Sequence, residues 1–233
     1  MKIIDIQKAL AERGFKPGPL DGVWGRQTAE AVRRFQAKND LEVDGIVGPL
    51  TLAALLPEAA NPDGLADPTL IWFKEAARLL GTREHPGSGS NTVILDWAKN
   101  LDLDYDGDDI PWCGLFLGHC IGATLDREPL PTRLLSARSW GRFGIPTKLT
   151  PGAVMVFWRK SRESGLGHVG FYAGENKTGT AYRILGGNQS DAVSLAWIGK
   201  ERFVGARWPA SVSPPIPHPV VVTRDEPLSW NEQ

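Results

Sequence analysis

From Pro151 onward the chain is a succession of short β-rich runs: AVMVFW from 153, HVGFYA from 168, AYRILG from 181, AVSLAW from 192 and FVGARW from 203. Stretches of Gly, Asn, Lys and Ser part them, the pattern of strands bounded by turns. Ahead of them the period is helical. Leu70, Phe73, Ala77 and Leu80 recur at spacings of 3, 4 and 3, and Ile94, Trp97, Ala98 and Leu101 repeat an apolar face. A third helix is predicted from near Cys113. Helices first and strands afterwards predict an α+β domain, its helices packed on an antiparallel sheet.

A second constraint is an internal repeat near the front. DGVWGRQT from Asp21 and DGIVGPLT from Asp44 are offset by 23 residues, with Asp, Gly, Gly and Thr in register. Asp-Gly signals a turn, the second Gly permits another tight bend, and Thr28 and Thr51 read as helix N-caps. Ile6, Leu10, Val32 and Phe35 supply apolar faces, so three short helices are predicted to close a small core over residues 1–57. Trp24, in the first turn, reads equally as a sugar-stacking platform and as a core plug. The stretch PEAANPDGLADP lacks an apolar period, which sets a linker at 58–68 and the larger domain at 69–209. Residues 210–233 form a tail with prolines at 214, 215, 217 and 219, which favour extended polyproline geometry.

The charge balance narrows the partners. Twenty-six basic and 27 acidic side chains give a formal net charge of −1, so the broad positive field that nucleic-acid binding needs is missing. The longest apolar run, Ala153 to Trp158, has six residues against the roughly 20 of a membrane-spanning helix. The opening MKIIDIQKALAERGF has no apolar core of a secretory signal, which predicts a protein held in the cytoplasm until something releases it. Cys113 and Cys120, seven residues apart, fall two turns along one helix and are expected to be free thiols. A monomer is expected.

Candidate chemistry follows from the same layout. Cys113 comes just after Ile110-Pro111-Trp112, at the start of its helix, where backbone N–H groups and the helix dipole favour a thiolate nucleophile. His168 opens a strand after the SGLGH turn, a place from which it can face that helix end as general base. Asn188, in GGNQ at the end of the next strand, can orient the imidazole, with Gln189 its adjacent rival. Trp112 and Glu84 are candidates to line the substrate groove. The other histidines, His85, His119 and His218, read as surface or core residues, and Cys120 as a small hydrophobe.

Two parts of the chain resemble known families. The doubled D-G-x-x-G turn and the phrase AVRRFQ are similar to the peptidoglycan-binding modules of bacterial and phage cell-wall hydrolases, over residues 3–56. The phrases PWCGLF, ARSWGRFG, PGAVMVFWR, GHVGFYAG and LGGNQS resemble the NlpC-type and CHAP cysteine hydrolases often found in phage lysins, over residues 69–208. The second resemblance implies a papain-like fold that cleaves peptidoglycan amide bonds without a required cofactor. It also implies Cys113, His168 and Asn188 as nucleophile, base and orienting residue. Together the two resemblances imply an endolysin, an endopeptidase or an N-acetylmuramoyl-L-alanine amidase, stored in a host cytoplasm or carried by a virion. The competing class is a non-catalytic wall-binding protein with a degenerate hydrolase domain. CHAP members often carry Glu two residues before the Asn, where this chain has Gly186.

Asp102, Asp104, Asp106 and Asp108 crowd the loop before Cys113 in the manner of the front half of a calcium loop, and some CHAP relatives bind calcium there. The twelfth position, where a calcium loop needs Glu, is Cys113 itself. Bound Ca2+ and a solvated acidic loop, with Asp109 helping to cap the helix, are the two readings left open.

Overall fold

The computed structural model describes residues 3–47, 51, 54–56, 69–214 and 219–222. The chain divides into two compact units, Met1–Gly64 and Leu65–Gln233. The predicted linker at 58–68 lies outside the described residues.

In the first unit, α1 (Ile3–Glu12) and α2 (Arg26–Lys38) enclose a core of Ile6, Ala9, Leu10, Ala31, Val32, Phe35 and Leu55. The repeat owes its geometry to a residue that repeats with it. Gln7 donates to Asp21 Oδ1 (3.2 Å), the Val23 carbonyl (3.0 Å) and Thr28 Oγ1 (3.3 Å), and accepts from the Gly22 N–H (2.8 Å). Gln36 makes the same four contacts to Asp44, Ile46, Thr51 and Gly45, at 2.7, 2.9, 3.1 and 2.8 Å. Each turn is thus clamped by the helix before it. Gly22 and Gly45 both sit at φ +77°, left-handed backbone that glycine adopts without strain. Thr28 is not the predicted N-cap. Gly25 holds that position, and Thr28, inside the first turn of α2, donates to the Pro17 carbonyl at 3.0 Å.

The second unit is a mixed helix and antiparallel-sheet domain. Helices α3 (Ile71–Arg78), α4 (Thr92–Asn100) and α5 (Cys113–Gly122) come first; α3 and α4 pack against α5, and α5 packs against the sheet. The strands are β1 (Ile145–Pro146), β2 (Val154–Trp158), β3 (Gly167–Asn176), β4 (Ala181–Gly186), β5 (Ser194–Gly199), β6 (Phe203–Trp208) and β7 (Val221–Val222). Their order is β1-β6-β2-β3-β4-β5, antiparallel throughout, with β7 added parallel to β3. Tryptophans fill the core: Trp72, Trp112, Trp140 and Trp208 are fully buried, and the first donates its indole N–H to the Gly152 carbonyl at 2.9 Å.

Part of the tail belongs to the sheet. Beta-2 covers one edge of β3 only as far as Phe171, and β7 takes up that edge at Glu175 and Asn176. Gly174, at φ +135°, makes room for it, because a Cβ there would lie 2.6 Å from Val222 Cγ2.

Candidate active site

Cys113 is the first residue of α5 and is 3% exposed. Its placement depends on two glycines one turn apart. A Cβ on Gly114 would stand 2.2 Å from the Leu134 carbonyl oxygen, and one on Gly118 would stand 2.5 Å from Leu134 Cδ1. Only glycine lets the segment around Leu134 lie this close to the helix start. That same carbonyl accepts the Trp140 indole N–H at 3.0 Å, which pins the segment in place. The result is a groove of about 540 Å³ whose walls include Cys113, Ile110, Pro111, Arg133, Arg159 and Leu166.

The thiol is not depressed as the helix start alone predicts. Burial pushes the Cys113 thiol up, while the backbone N–H groups of Val169 and Gly114 and the charge of Arg159 pull the other way without prevailing. Loss of hydration outweighs the dipole at this site. A thiol in this setting would need a base to act as a nucleophile.

The candidate base, His168, comes one residue before Val169. His168 lies on β3, paired in register with Phe157 of β2, and is completely buried. Its Nε2 meets Gln189 Oε1 at 3.0 Å. The orientation of the Gln189 amide is fixed independently, since its Nε2 donates to the Ser194 carbonyl at 2.6 Å and to the Ile184 carbonyl at 3.4 Å. An amide oxygen can only accept, so His168 carries its proton on Nε2 and its basic lone pair is on Nδ1. Gly186 is part of this arrangement. A Cβ there would come within 2.9 Å of Gln189 Oε1 and 3.1 Å of His168 Nε2.

Asn188 sits beside this pair, 2% exposed, in left-handed backbone at φ 54°. Ser190 and Asp191 share that conformation at φ 52° and 57°, so the turn stores strain where it meets the ring. It is held from outside by the segment before α4: Glu84 N–H donates to the Asp191 carbonyl at 2.9 Å, and Gly81 N–H to the Val193 carbonyl at 3.0 Å.

The other sequence candidates fall around this centre. Trp112 is fully buried behind Cys113 and gives its indole N–H to Glu84 Oε1 at 2.7 Å, so its ring serves the core and not the groove wall. Burial raises the Glu84 carboxyl, and Asp191, Asp108 and Asp109 add to the rise. Asp108 is buried and accepts from the His85 and Asn91 N–H groups, each at 2.8 Å, tying two loops together. Among the described residues no three His, Cys, Asp or Glu side chains are arranged to hold a metal ion. His119 stacks on Trp97 with ring centroids 5.0 Å apart, and both cysteines are free and buried. Gln7, Gln36 and Arg159 carry geometry that the sequence did not assign them, although Gln36 closes the phrase AVRRFQ and Arg159 the phrase PGAVMVFWR.

The family match falls within the first unit. Residues 2–55 match the protein family described as "Putative peptidoglycan binding domain". A "Probable N-acetylmuramoyl-L-alanine amidase" of Bacillus licheniformis is 43% identical over 60 residues, 23% of this chain and 17% of that protein. A "Spore cortex-lytic enzyme" of Bacillus cereus is 43% identical over 54 residues, 23% of this chain and 21% of its own length. The "N-acetylmuramoyl-L-alanine amidase CwlM" of Mycobacterium tuberculosis is 32% identical over 94 residues, 40% of this chain and 22% of that protein. The chain spans about a fifth of the length of these relatives. No solved structure gives a significant match. The chain carries at its N-terminus the sequence of a peptidoglycan-binding domain, and the turns and core described above are the structure that this sequence builds.

Proposed function

We propose that the chain is a peptidoglycan hydrolase of the endolysin type that cuts amide bonds of the wall peptide through a Cys-His pair on a papain-like, NlpC/CHAP-related domain. The first unit holds the enzyme on the wall and raises its effective concentration there. The observation that carries the reading is the His168–Gln189 pair. It leaves the basic Nδ1 on the ring next to Val169, whose own N–H rests against Cys113 sulfur in an open groove.

The chemistry balances with these groups alone. His168 Nδ1 takes the thiol proton as Sγ bonds to the amide carbonyl carbon, and N–H groups at the start of α5, that of Cys113 included, stabilise the oxyanion. The C–N bond breaks as the imidazolium returns the proton to the leaving amine. Water, deprotonated by the same ring, then releases the acyl group and restores the thiol. Gln189 holds the ring's tautomer throughout, and Asn188 shapes the turn that presents it. The relatives' names favour N-acetylmuramoyl-L-alanine amidase as the bond cut; an endopeptidase uses the same steps.

The test is release of new amino termini from purified peptidoglycan by the wild type and by Cys113→Ala. Release by the wild type alone supports the reading. Equal release by both removes Cys113 from the reaction. The depth at which Cys113 is buried favours one second reading, an inert thiol in a wall-binding protein, and release by neither protein from several wall types is its expected result.

A further inference from the structure

Beside the cysteine groove lies a second cavity, of about 640 Å³, that the mechanism above does not use. Arg133, Arg138 and Arg142 line it together with Thr132, Ser136 and Ser139, and no Asp or Glu is among its lining residues. It shares Thr132, Arg133 and Ser136 with the groove that contains Cys113 and Arg159. Three guanidinium groups without a carboxylate among them would repel one another, and a folded protein commonly answers such a cluster with an internal acid.

Arg138 makes the case specific. It stands on the short 3-10 helix Ala137–Arg142, with its stem against Gly167, where a Cβ would come 2.8 Å from Arg138 Cδ. Gly167 precedes the proposed base. The Arg138 Nη1 is shielded from solvent and has no hydrogen-bond partner among the described residues. Arg138 still lines the cavity, so the charged donors that an entering anion meets there are its other N–H groups and those of Arg133 and Arg142. A guanidinium presents two parallel N–H groups that match a carboxylate, and hydroxyls such as those of Ser136 and Ser139 can complete its coordination.

We infer that this arginine cavity binds a carboxylate of the substrate peptide flanking the scissile amide, so that the enzyme selects free-acid stem peptides over amidated ones. The inference rests on the proposed reaction at Cys113 for its substrate class. It rests on Arg138 and the shared wall for its location.

Binding can be read apart from catalysis. Full-length Cys113→Ala protein is titrated calorimetrically with a peptidoglycan stem tetrapeptide whose carboxyl groups are free, and with the same peptide fully converted to carboxamides. The free acid is expected to bind roughly 10- to 100-fold more tightly, the size of a charge-assisted hydrogen-bond pair. Adding Arg138→Gln should remove most of that preference. Because Arg138 also packs on Gly167, Arg133→Gln and Arg142→Gln, at exposed positions, are measured beside it and should each reduce the preference in a folded protein. All three arginines belong to the second unit, so a preference they abolish does not come from the first. Equal binding of both peptides, or a preference that survives all three substitutions, overturns the inference. Wall cleavage separates the two claims. An arginine-dependent preference in a protein that cuts nothing sinks the reaction but keeps the cavity, and Cys113-dependent cleavage of both peptide forms with no arginine effect does the reverse.

Discussion

Replacing Gln189 with Ala tests how the proposed base is held. The substitution strips the acceptor from His168 Nε2, now 3.0 Å away, and leaves the Ser194 and Ile184 carbonyls without their amide donor. All of this happens at a site where Gln189 is 2% exposed, so water does not readily replace what is lost. A buried donor without a partner costs about 1–3 kcal/mol and a lost ordinary hydrogen bond about 1 kcal/mol, which sums to roughly 3 kcal/mol for this residue. In a domain of this size each kcal/mol moves the melting temperature by about 2–4 °C, so the second unit should melt roughly 6–12 °C lower. Turnover on purified wall should fall by at least about 100-fold, the lower range for a general base that is no longer set. Gln189→Glu restores the acceptor but faces the Ser194 carbonyl with a second acceptor, and should recover part of the turnover without the stability. Imidazole ¹⁵N spectra should show the Nε2–H form in the wild type and a mixture of tautomers in Gln189→Ala. Melting within about 2 °C of wild type together with undiminished turnover would refute the assignment of Gln189 as the residue that sets the ring.

Three further outcomes follow from the packing and the charges. Gly114→Ala places a methyl group 2.2 Å from a backbone oxygen and should destabilise by at least about 3 kcal/mol, whereas Gly118→Ala meets a movable Leu134 side chain and should cost less; equal melting curves would contradict the close approach. Gln7→Ala and Gln36→Ala each remove a four-contact clamp and should lower the stability of the first unit by similar amounts, about 2–3 kcal/mol, measured by hydrogen exchange at Gly22 and Gly45; a loss at only one of them would break the equivalence of the two turns. Burial holds the His119 pKa below its ordinary 6.5 despite Glu75 at 3.2 Å, so the unfolded chain binds the extra proton first. Stability should therefore be full above pH 6.5 and decline as pH falls below it, and His119→Phe, which keeps a ring against Trp97, should flatten that decline; an unchanged pH slope would exclude His119 as its source.

Periodicity made much of the fold legible. The apolar spacings around Phe73 and Trp97 and the runs from 153, 168, 181, 192 and 203 correspond to α3, α4 and the five longer strands, because burial of one face dictates those residues locally. Thr28 was misread as a cap since the residue type suits a cap; the helix begins earlier, at Arg26, and uses the hydroxyl for a tertiary bond. The roles of Gln7 and Gln36 were not legible because a glutamine inside a helix, even one that closes the phrase AVRRFQ, does not tell what its amide reaches; only the fold reveals that. Strand β7 was hidden for a similar reason: two residues after a proline cluster have no period, and their place comes from the free edge of β3.

At the site, chain order put Cys113 at a helix start and His168 at a strand start, and the structure has them there. The contact of Gln189 Oε1 with His168 is made from a turn with three left-handed residues, a geometry that sequence alone does not encode. The thiol's environment was also beyond reach, because it depends on how deeply the Leu134 segment covers the helix start. Trp112, adjacent in sequence to the proposed nucleophile, turns into the core, so adjacency gave the wrong neighbour for the groove.

The central claim is that Cys113 sulfur bonds to the wall peptide, and rapid acid quenching of the full chain during digestion of purified peptidoglycan tests it most directly. The peptide containing Cys113 should carry an acyl adduct in the mass spectrum that hydroxylamine removes, and the adduct should be missing from Cys113→Ala. Continued release of wall fragments with no adduct on Cys113, or with one on another residue, would contradict the account.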